Sequence, residues 1–177
     1  METNINIFTI TYRISKRGFK ELELYNNQKI GIFNKELSII NKKKYNIKKK
    51  NNVLQHTVTF VISSNQSQCE IITKNIPYSL GNNNTHANMI LEGQEYHIER
   101  EPNSWLSDSK GIIKLYFNQE LRAELIETKR NYIFSFLSDE GVISFKPNQN
   151  SSPTYINELI ILTLLICKNA LRPNTMI

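Results

Sequence analysis

The sequence predicts a mainly β (α+β) fold: an antiparallel β-barrel of hairpins enclosing a hydrophobic C-terminal helix. Three observations predict it. Apolar residues alternate with polar ones at period two across roughly residues 5–146. Asn-rich and Gly-bearing turn signals punctuate these runs. The pattern then switches, over residues 155–171, to a segment apolar on nearly every face. A single domain over residues 1–177 holds all of it, because the chain leaves no room for a second independent core.

The strands follow in order. Phe8, Ile10, Tyr12 and Ile14 alternate with Thr9, Thr11 and Arg13. Leu22 and Leu24 lead into the turn signal Asn26-Asn27, and the pattern resumes at residues 30–33, which reads as a hairpin. Residues 37–40 and 45–47 are weaker strands. Lys42, Lys43 and Lys44 separate them, and Lys48, Lys49 and Lys50 follow. Residues 53–62 form the strongest run, rich in β-branched and aromatic residues, and residues 68–74 continue it. Residues 81–85 read as an Asn-rich loop. Residues 88–91 and 96–100 flank Glu92-Gly93 as a second hairpin, and residues 102–109 read as a loop holding the only tryptophan, Trp105.

Residues 113–117 then reach a turn near Asn118-Gln119. Residues 121–127 follow as a strand, although residues 119–129 contain enough good helix formers for a helix to compete. Residues 132–137 are expected to pair with residues 142–145 across a turn at 138–141.

The last element starts at Ser151-Ser152-Pro153, with a serine N-cap and proline at the first helical position, and stops at Pro173. A core helix is expected over about 154–171, and its stretch from Tyr155 to Leu171 is roughly 25 Å long at about 1.5 Å per residue. Only Thr163 interrupts the apolar run from 159 to 166. A membrane span needs about 20 apolar residues. Here Asn157, Glu158, Lys168 and Asn169 fall inside such a window, so the helix belongs in a core. A β-rich chain ending this way has few solutions, and a closed barrel threaded by the helix is one of them.

That arrangement resembles the tubby C-terminal-like superfamily, which includes the LURP-one-related proteins, the phospholipid scramblases and small bacterial members. The resemblance rests on Leu115-Tyr116-Phe117-Asn118-Gln119-Glu120-Leu121-Arg122-Ala123-Glu124-Leu125-Ile126, then Asn131-Tyr132-Ile133-Phe134-Ser135-Phe136, then the helix. It covers roughly the last third of the chain. It implies a barrel around a central hydrophobic helix, and a binding role at phosphoinositides or membranes. No lipid-binding residue of the family carries over to a position here. An internal echo points the same way: Leu24-Tyr25-Asn26-Asn27-Gln28-Lys29-Ile30 resembles residues 115–121, as expected of a meander of repeated hairpins.

Composition narrows the function classes. Hydrophobic residues make up 40% and charged residues 21%, which excludes a disordered chain. A formal charge of +6 favours anionic partners. No nucleophile elbow, P-loop or dinucleotide fingerprint is present, so no enzyme activity, catalytic residue or cofactor is expected. Cys69 and Cys167 cannot build a disulfide framework, and neither His56, His86 nor His97 has ligand spacing along the chain, so no metal is expected. Glu95, Glu99 and Glu101 with Arg100 form an acidic patch near Trp105; paired carboxylates do acid–base work only in a cleft, and an exposed strand face is the simpler reading.

The candidate anion-binding residues are Lys42, Lys43, Lys44, Lys48, Lys49 and Lys50, six ammonium groups in nine positions around Tyr45 and Ile47. The competing reading is a solvated loop, or an edge strand that lysines protect from aggregation. The expectation is a non-catalytic cytoplasmic binding module, with anionic lipid, a membrane surface or another phosphate-bearing surface as partner. The alternative is a protein-interaction or immunity-type regulator with a protein partner. Nucleic acid is disfavoured, because only Lys44-Tyr45-Asn46-Ile47-Lys48 interleaves aromatic and basic residues.

Overall fold

The computed structural model describes residues 9–14, 21–65, 67–74, 85–101, 111–131, 138–146 and 154–171, and these form a closed antiparallel barrel with one helix. The strands are β1 (Thr9–Ile14), β2 (Leu22–Asn26), β3 (Gln28–Phe33), β4 (Leu37–Ile40), β5 (Lys43–Asn52) and β6 (Thr57–Ser63). They continue as β7 (Gln68–Lys74), β8 (His86–Leu91), β9 (Gln94–Arg100), β10 (Ile112–Phe117), β11 (Glu120–Asn131) and β12 (Ser138–Phe145), and the chain ends in α1 (Thr154–Ala170). Each strand pairs with its neighbours in sequence, and β1 pairs with β12, from Thr9↔Ser144 to Arg13↔Glu140, to close the ring.

Tight turns mark one end of the barrel. Asn41 and Lys42 (φ 48° and 67°), Glu92 and Gly93 (52° and 76°), and Asn118 and Gln119 (51° and 67°) all have left-handed backbones. Two successive residues of that kind make the hairpin turn whose twist matches the flanking strands. Asn27 (φ 57°) turns β2 into β3 at the same end. The internal echo has a structural counterpart. Both hairpins shift register at the matching Leu-Tyr step, Leu24/Tyr25 in one and Leu115/Tyr116 in the other. In each, the leucine faces the core and the tyrosine lies half-buried on the outer side.

Three expectations are corrected. Val53 and Leu54 do not start a strand; they sit in the turn before β6. Residues 138–141 are not a turn but the first half of β12, paired with β11 as far as Asn131↔Ser138. Lys43, Lys44, Lys48, Lys49 and Lys50 do not flank a short strand; all five lie within the ten-residue β5. Residues 121–127 are strand rather than helix, because β11 is paired on both sides, by β10 and β12, and that pairing overrides helix propensity. The expected loops at 81–84 and 102–109, the strand at 132–137 and the helix start at 151–153 lie outside the described residues.

The strand alternation resolves into an inner and an outer face. Ile10, Leu24, Ile40, Ile62, Ile71, Ile98, Leu115, Leu125 and Ile143 point inward and are fully buried. Outward positions carry Glu23, Lys44, Lys48, Glu70, Glu95, Glu99, Lys114 and Glu124. Such a charged exterior is the opposite of the apolar band of a membrane barrel. Among the described residues, no helix is long and apolar enough to cross a bilayer.

A twelve-strand ring is wider than the eight-strand barrels whose own side chains fill the interior, and narrower than the water-filled porins. A helix about 10 Å across fits the difference. Every residue of α1 from Glu158 to Lys168 is buried. This is why the segment is apolar on every face: it has no solvent side.

The polar residues of α1 are matched by the wall. Near the helix start, Glu158 accepts hydrogen bonds from Tyr45 Oη, from Asn41 Nδ2 at 2.8 Å and from Lys43 Nζ at 3.3 Å. In the middle, Thr163 Oγ1 donates to Met89 Sδ at 3.4 Å. At the far end, Lys168 is paired with Asp139 and lies 3.9 Å from Glu127 Oε1. Arg100 Nη2 meets Glu127 Oε2 at 2.9 Å, and Arg100 Nη1 donates to the carbonyls of Lys168 and Leu171 at 2.8 and 3.0 Å. The guanidinium therefore satisfies carbonyls that a helix C-terminus otherwise leaves without partners, and it complements the negative end of the helix dipole.

Burial raises the Tyr45 phenol well above its ordinary range, and the Glu158 carboxylate adds to the shift. Burial likewise pushes the Cys69 thiol up to about 12 and raises that of Cys167, so both free cysteines behave as small apolar residues.

Candidate functional site

With the lumen occupied by α1, the features available to a partner are on the outside. The first is the β5–β6 hairpin. β4 pairs with β5 only from Ile40↔Lys43 to Leu37↔Asn46, whereas β6 pairs with β5 on to Asn52↔Thr57. Residues 48–52 thus run beyond β4 at the end of the barrel opposite the tight turns. The connecting residues 53–56 are held by Asn52, whose Oδ1 accepts from the Gln55 backbone N–H at 3.1 Å and whose Nδ2 donates to Gln55 Oε1 at 2.9 Å. His56, with φ 49°, completes the turn. On this fixed tip Val53 is 76% exposed and Leu54 is 94% exposed. An ordered turn that presents two large apolar side chains to water gains nothing for folding from them.

The six candidate lysines divide along β5. Lys44, Lys48 and Lys50 are exposed on its outward face, and Lys49 is exposed beside them because the hairpin has left the wall at that point. Lys42 sits exposed in the opposite turn. Lys43 points inward and is committed to Glu158. The cluster is therefore a ribbon along one strand. Lys48, Lys49 and Lys50 stand immediately behind the apolar tip, and Lys42, Lys43 and Lys44 are separated from them by the half-buried middle of β5. The edge-strand reading keeps a place as well, since lysines on the open side of residues 48–52 discourage pairing with another sheet.

A second polar feature lies on the outer face of β8, β9 and β10. The register His86↔Glu99 and Asn88↔His97 sets two histidines diagonally across one hairpin. Their rings stack at 5.3 Å between centroids. Tyr116 on β10 donates to Glu99 Oε1 at 3.1 Å. A shallow open depression lined by His97, Glu99, Tyr116 and Phe117 runs beside them. Of the expected acidic face, Glu95 and Glu99 belong to this group, while Glu101 is bound to Lys114. His56 is not part of this group; it lies on the β5–β6 tip at the same end of the barrel, with β7 between its hairpin and β8.

The histidine pairing was reachable from the sequence. A hairpin centred on Glu92-Gly93 puts His86 and His97 on the same face, and counting residues outward from that turn finds them together. Spacing along a single strand does not. The charges at the far end of α1, Arg100, Glu127 and Lys168, all buried, and half-buried Asp139, carry no motif of any kind. The one available signal was Glu158 and Lys168 inside an otherwise apolar helix, which demands partners in the wall.

Comparison with protein-family models, with curated proteins and with solved structures returns no match.

Proposed function

We propose that this protein is a non-catalytic binding module that docks peripherally on an anionic surface, a lipid bilayer in the first instance, through the β5–β6 hairpin. The observation that carries the reading is the fixed tip with exposed Val53 and Leu54 directly ahead of Lys48, Lys49 and Lys50. Apolar side chains entering the acyl boundary contribute about 1.5–3 kcal/mol each when fully buried. Lysines held at headgroup level add about 1 kcal/mol each on an anionic leaflet. Neither term alone gives firm attachment; the two together do. Membership of the tubby C-terminal-like superfamily is part of this proposal, supported by a closed barrel around a central apolar helix.

Co-sedimentation with vesicles at two salt concentrations tests it. Wild type binds vesicles containing phosphatidylserine and releases them as salt rises, since exposed charges are screened beyond about 8 Å at physiological ionic strength. Lys44, Lys48, Lys49 and Lys50 changed together to Gln abolish this, with thermal stability nearly unchanged. Lys43 is left in place because its loss disturbs Glu158. The pair Val53→Asp and Leu54→Asp weakens binding at every salt concentration. Equal binding by wild type and both variants overturns the proposal. Nucleic acid in a parallel experiment distinguishes a lipid surface from any polyanion.

A protein partner is the second reading. Leu37 and Ile39 favour it, being 44% and 36% exposed on the outward face of β4.

A further inference from the structure

We propose that His86, His97 and Glu99 form a binding site for a divalent transition-metal ion, with zinc as the natural occupant, on the outer face of the β8–β9 hairpin. The three residues each offer one ligand atom, and these atoms lie within 4.8 Å of one another. Two imidazoles and a carboxylate, with water in the fourth position, are a common ligand set for zinc. Metal–ligand bonds of about 2.0–2.2 Å require the three atoms to draw together by roughly 1–1.5 Å. The histidines are exposed and Glu99 is only half-buried, so ordinary side-chain rotation supplies that movement.

The surroundings orient the ligands. Asn88 Nδ2 donates to Glu95 Oε1 at 2.7 Å. That bond fixes the amide so that its oxygen faces His97 Nδ1, at 3.3 Å. An amide oxygen can only accept, so Nδ1 of His97 carries the proton and Nε2 keeps the lone pair a metal needs. The relay Glu95–Asn88–His97 is the kind of outer-shell support found behind metal-bound histidines. On the third ligand, Tyr116 occupies Oε1 of Glu99, leaving Oε2 for the ion.

Charge agrees with this assignment. Lys114, paired in register with Glu99, is drawn away to Glu101 and does not neutralise the site. Two imidazole ligands favour zinc, copper, nickel or cobalt over magnesium or calcium, which prefer oxygen ligands. The ion is bound beside the depression lined by Tyr116 and Phe117, with its water-bearing position open to solvent.

The test is a titration of the full-length chain, first stripped with chelator, with cobalt(II) as a spectroscopic stand-in for zinc. One equivalent of cobalt produces visible absorption bands, one equivalent of zinc removes them, and a large excess of magnesium does not. His86→Ala or His97→Ala abolishes the bands, whereas His56→Ala leaves them intact. Tyr116→Phe lowers the affinity by roughly tenfold or more while keeping the stoichiometry. All these positions are outward-facing, and circular dichroism confirms that each variant is folded. Zinc should also shift the imidazole NMR resonances of His86 and His97 and leave that of His56 unmoved. Absence of cobalt bands at millimolar metal, or bands that persist in both His86→Ala and His97→Ala, overturns the assignment.

Discussion

The two ends of the barrel solve the same problem differently. At the tight-turn end the helix offers one buried charge, Glu158, and the wall answers with a phenol, an amide and one lysine whose side chain is 42% exposed. At the opposite end two cations and two carboxylates close the lumen, and three of the four, Arg100, Lys168 and Glu127, are at most 3% exposed. The first end is tied down by short turns and needs little else. The second carries the longer connections and the projecting hairpin, so its seal must come from side chains. A wall that is free to vary its loops at one end is where a barrel of this kind can place a binding surface.

This contrast sets the order of expected mutational effects. Largest is a charge placed between the two ends. Leu162→Asp or Leu165→Asp leaves an unpaired carboxylate in the lumen, costing several kcal/mol against a total stability of about 5–15 kcal/mol, and the chain unfolds. Loss of the β-sheet circular dichroism and of the cooperative melt reads this out.

Next is the sealed end. Glu127→Gln leaves Arg100 and Lys168 with one carboxylate between them, and breaking a buried network of this kind costs about 3–5 kcal/mol. At the other end Glu158→Gln keeps an oxygen for Asn41, offers an amide N–H that the Tyr45 hydroxyl can accept, and releases Lys43 to water, so the cost is about 1–2 kcal/mol. Urea denaturation of the two variants measures the difference directly. Equal losses break the comparison between the ends.

Gly111→Ala acts on the sealed end directly, because Gly111 is buried against it. A Cβ there collides with the Glu127 carboxylate and the Arg100 guanidinium. The expected loss is about 1–3 kcal/mol, and it should shrink in a Glu127→Ala background, where the obstruction is gone.

Two pH effects are smaller. Burial and Glu158 raise the Tyr45 phenol, so the folded chain keeps that proton after the unfolded chain releases it near pH 10. The stability from the neutral phenol is whole below pH 10 and is lost as pH climbs above it; Tyr45→Phe flattens that decline. On the outer surface, Lys29 and then Tyr25 hydrogen-bond Glu23 and hold its carboxyl at about 2. Its contribution is present above the ordinary carboxylate range near 4.5 and fades as pH falls towards 2, and Glu23→Gln removes that dependence.

The fold was legible where local and long-range signals agree. Alternation at Phe8–Ile14, Asn-based turns and the apolar run from 159 to 166 each state one thing, and the barrel follows from them together. Legibility failed where pairing decides. Val53 and Leu54 have strand propensity but lie past the last pair, Asn52↔Thr57. Residues 138–141 look like a turn but are captured by β11. Of the six lysines, the sequence could not say that Lys43 turns inward while its neighbours Lys42 and Lys44 do not. The histidine pair needed only the hairpin register, and the four-charge seal needed the closed ring, which no local pattern encodes.

The central claim is that α1 fills the lumen and is released only when the barrel opens. Native-state hydrogen exchange tests it most directly. The amides of residues 159–167 should exchange only through global unfolding, with the same free energy and the same urea dependence as the slowest amides of β10 and β11. Exchange of the helix amides at a distinctly lower free energy, with the strand amides still protected, would contradict the account and leave the helix a detachable plug.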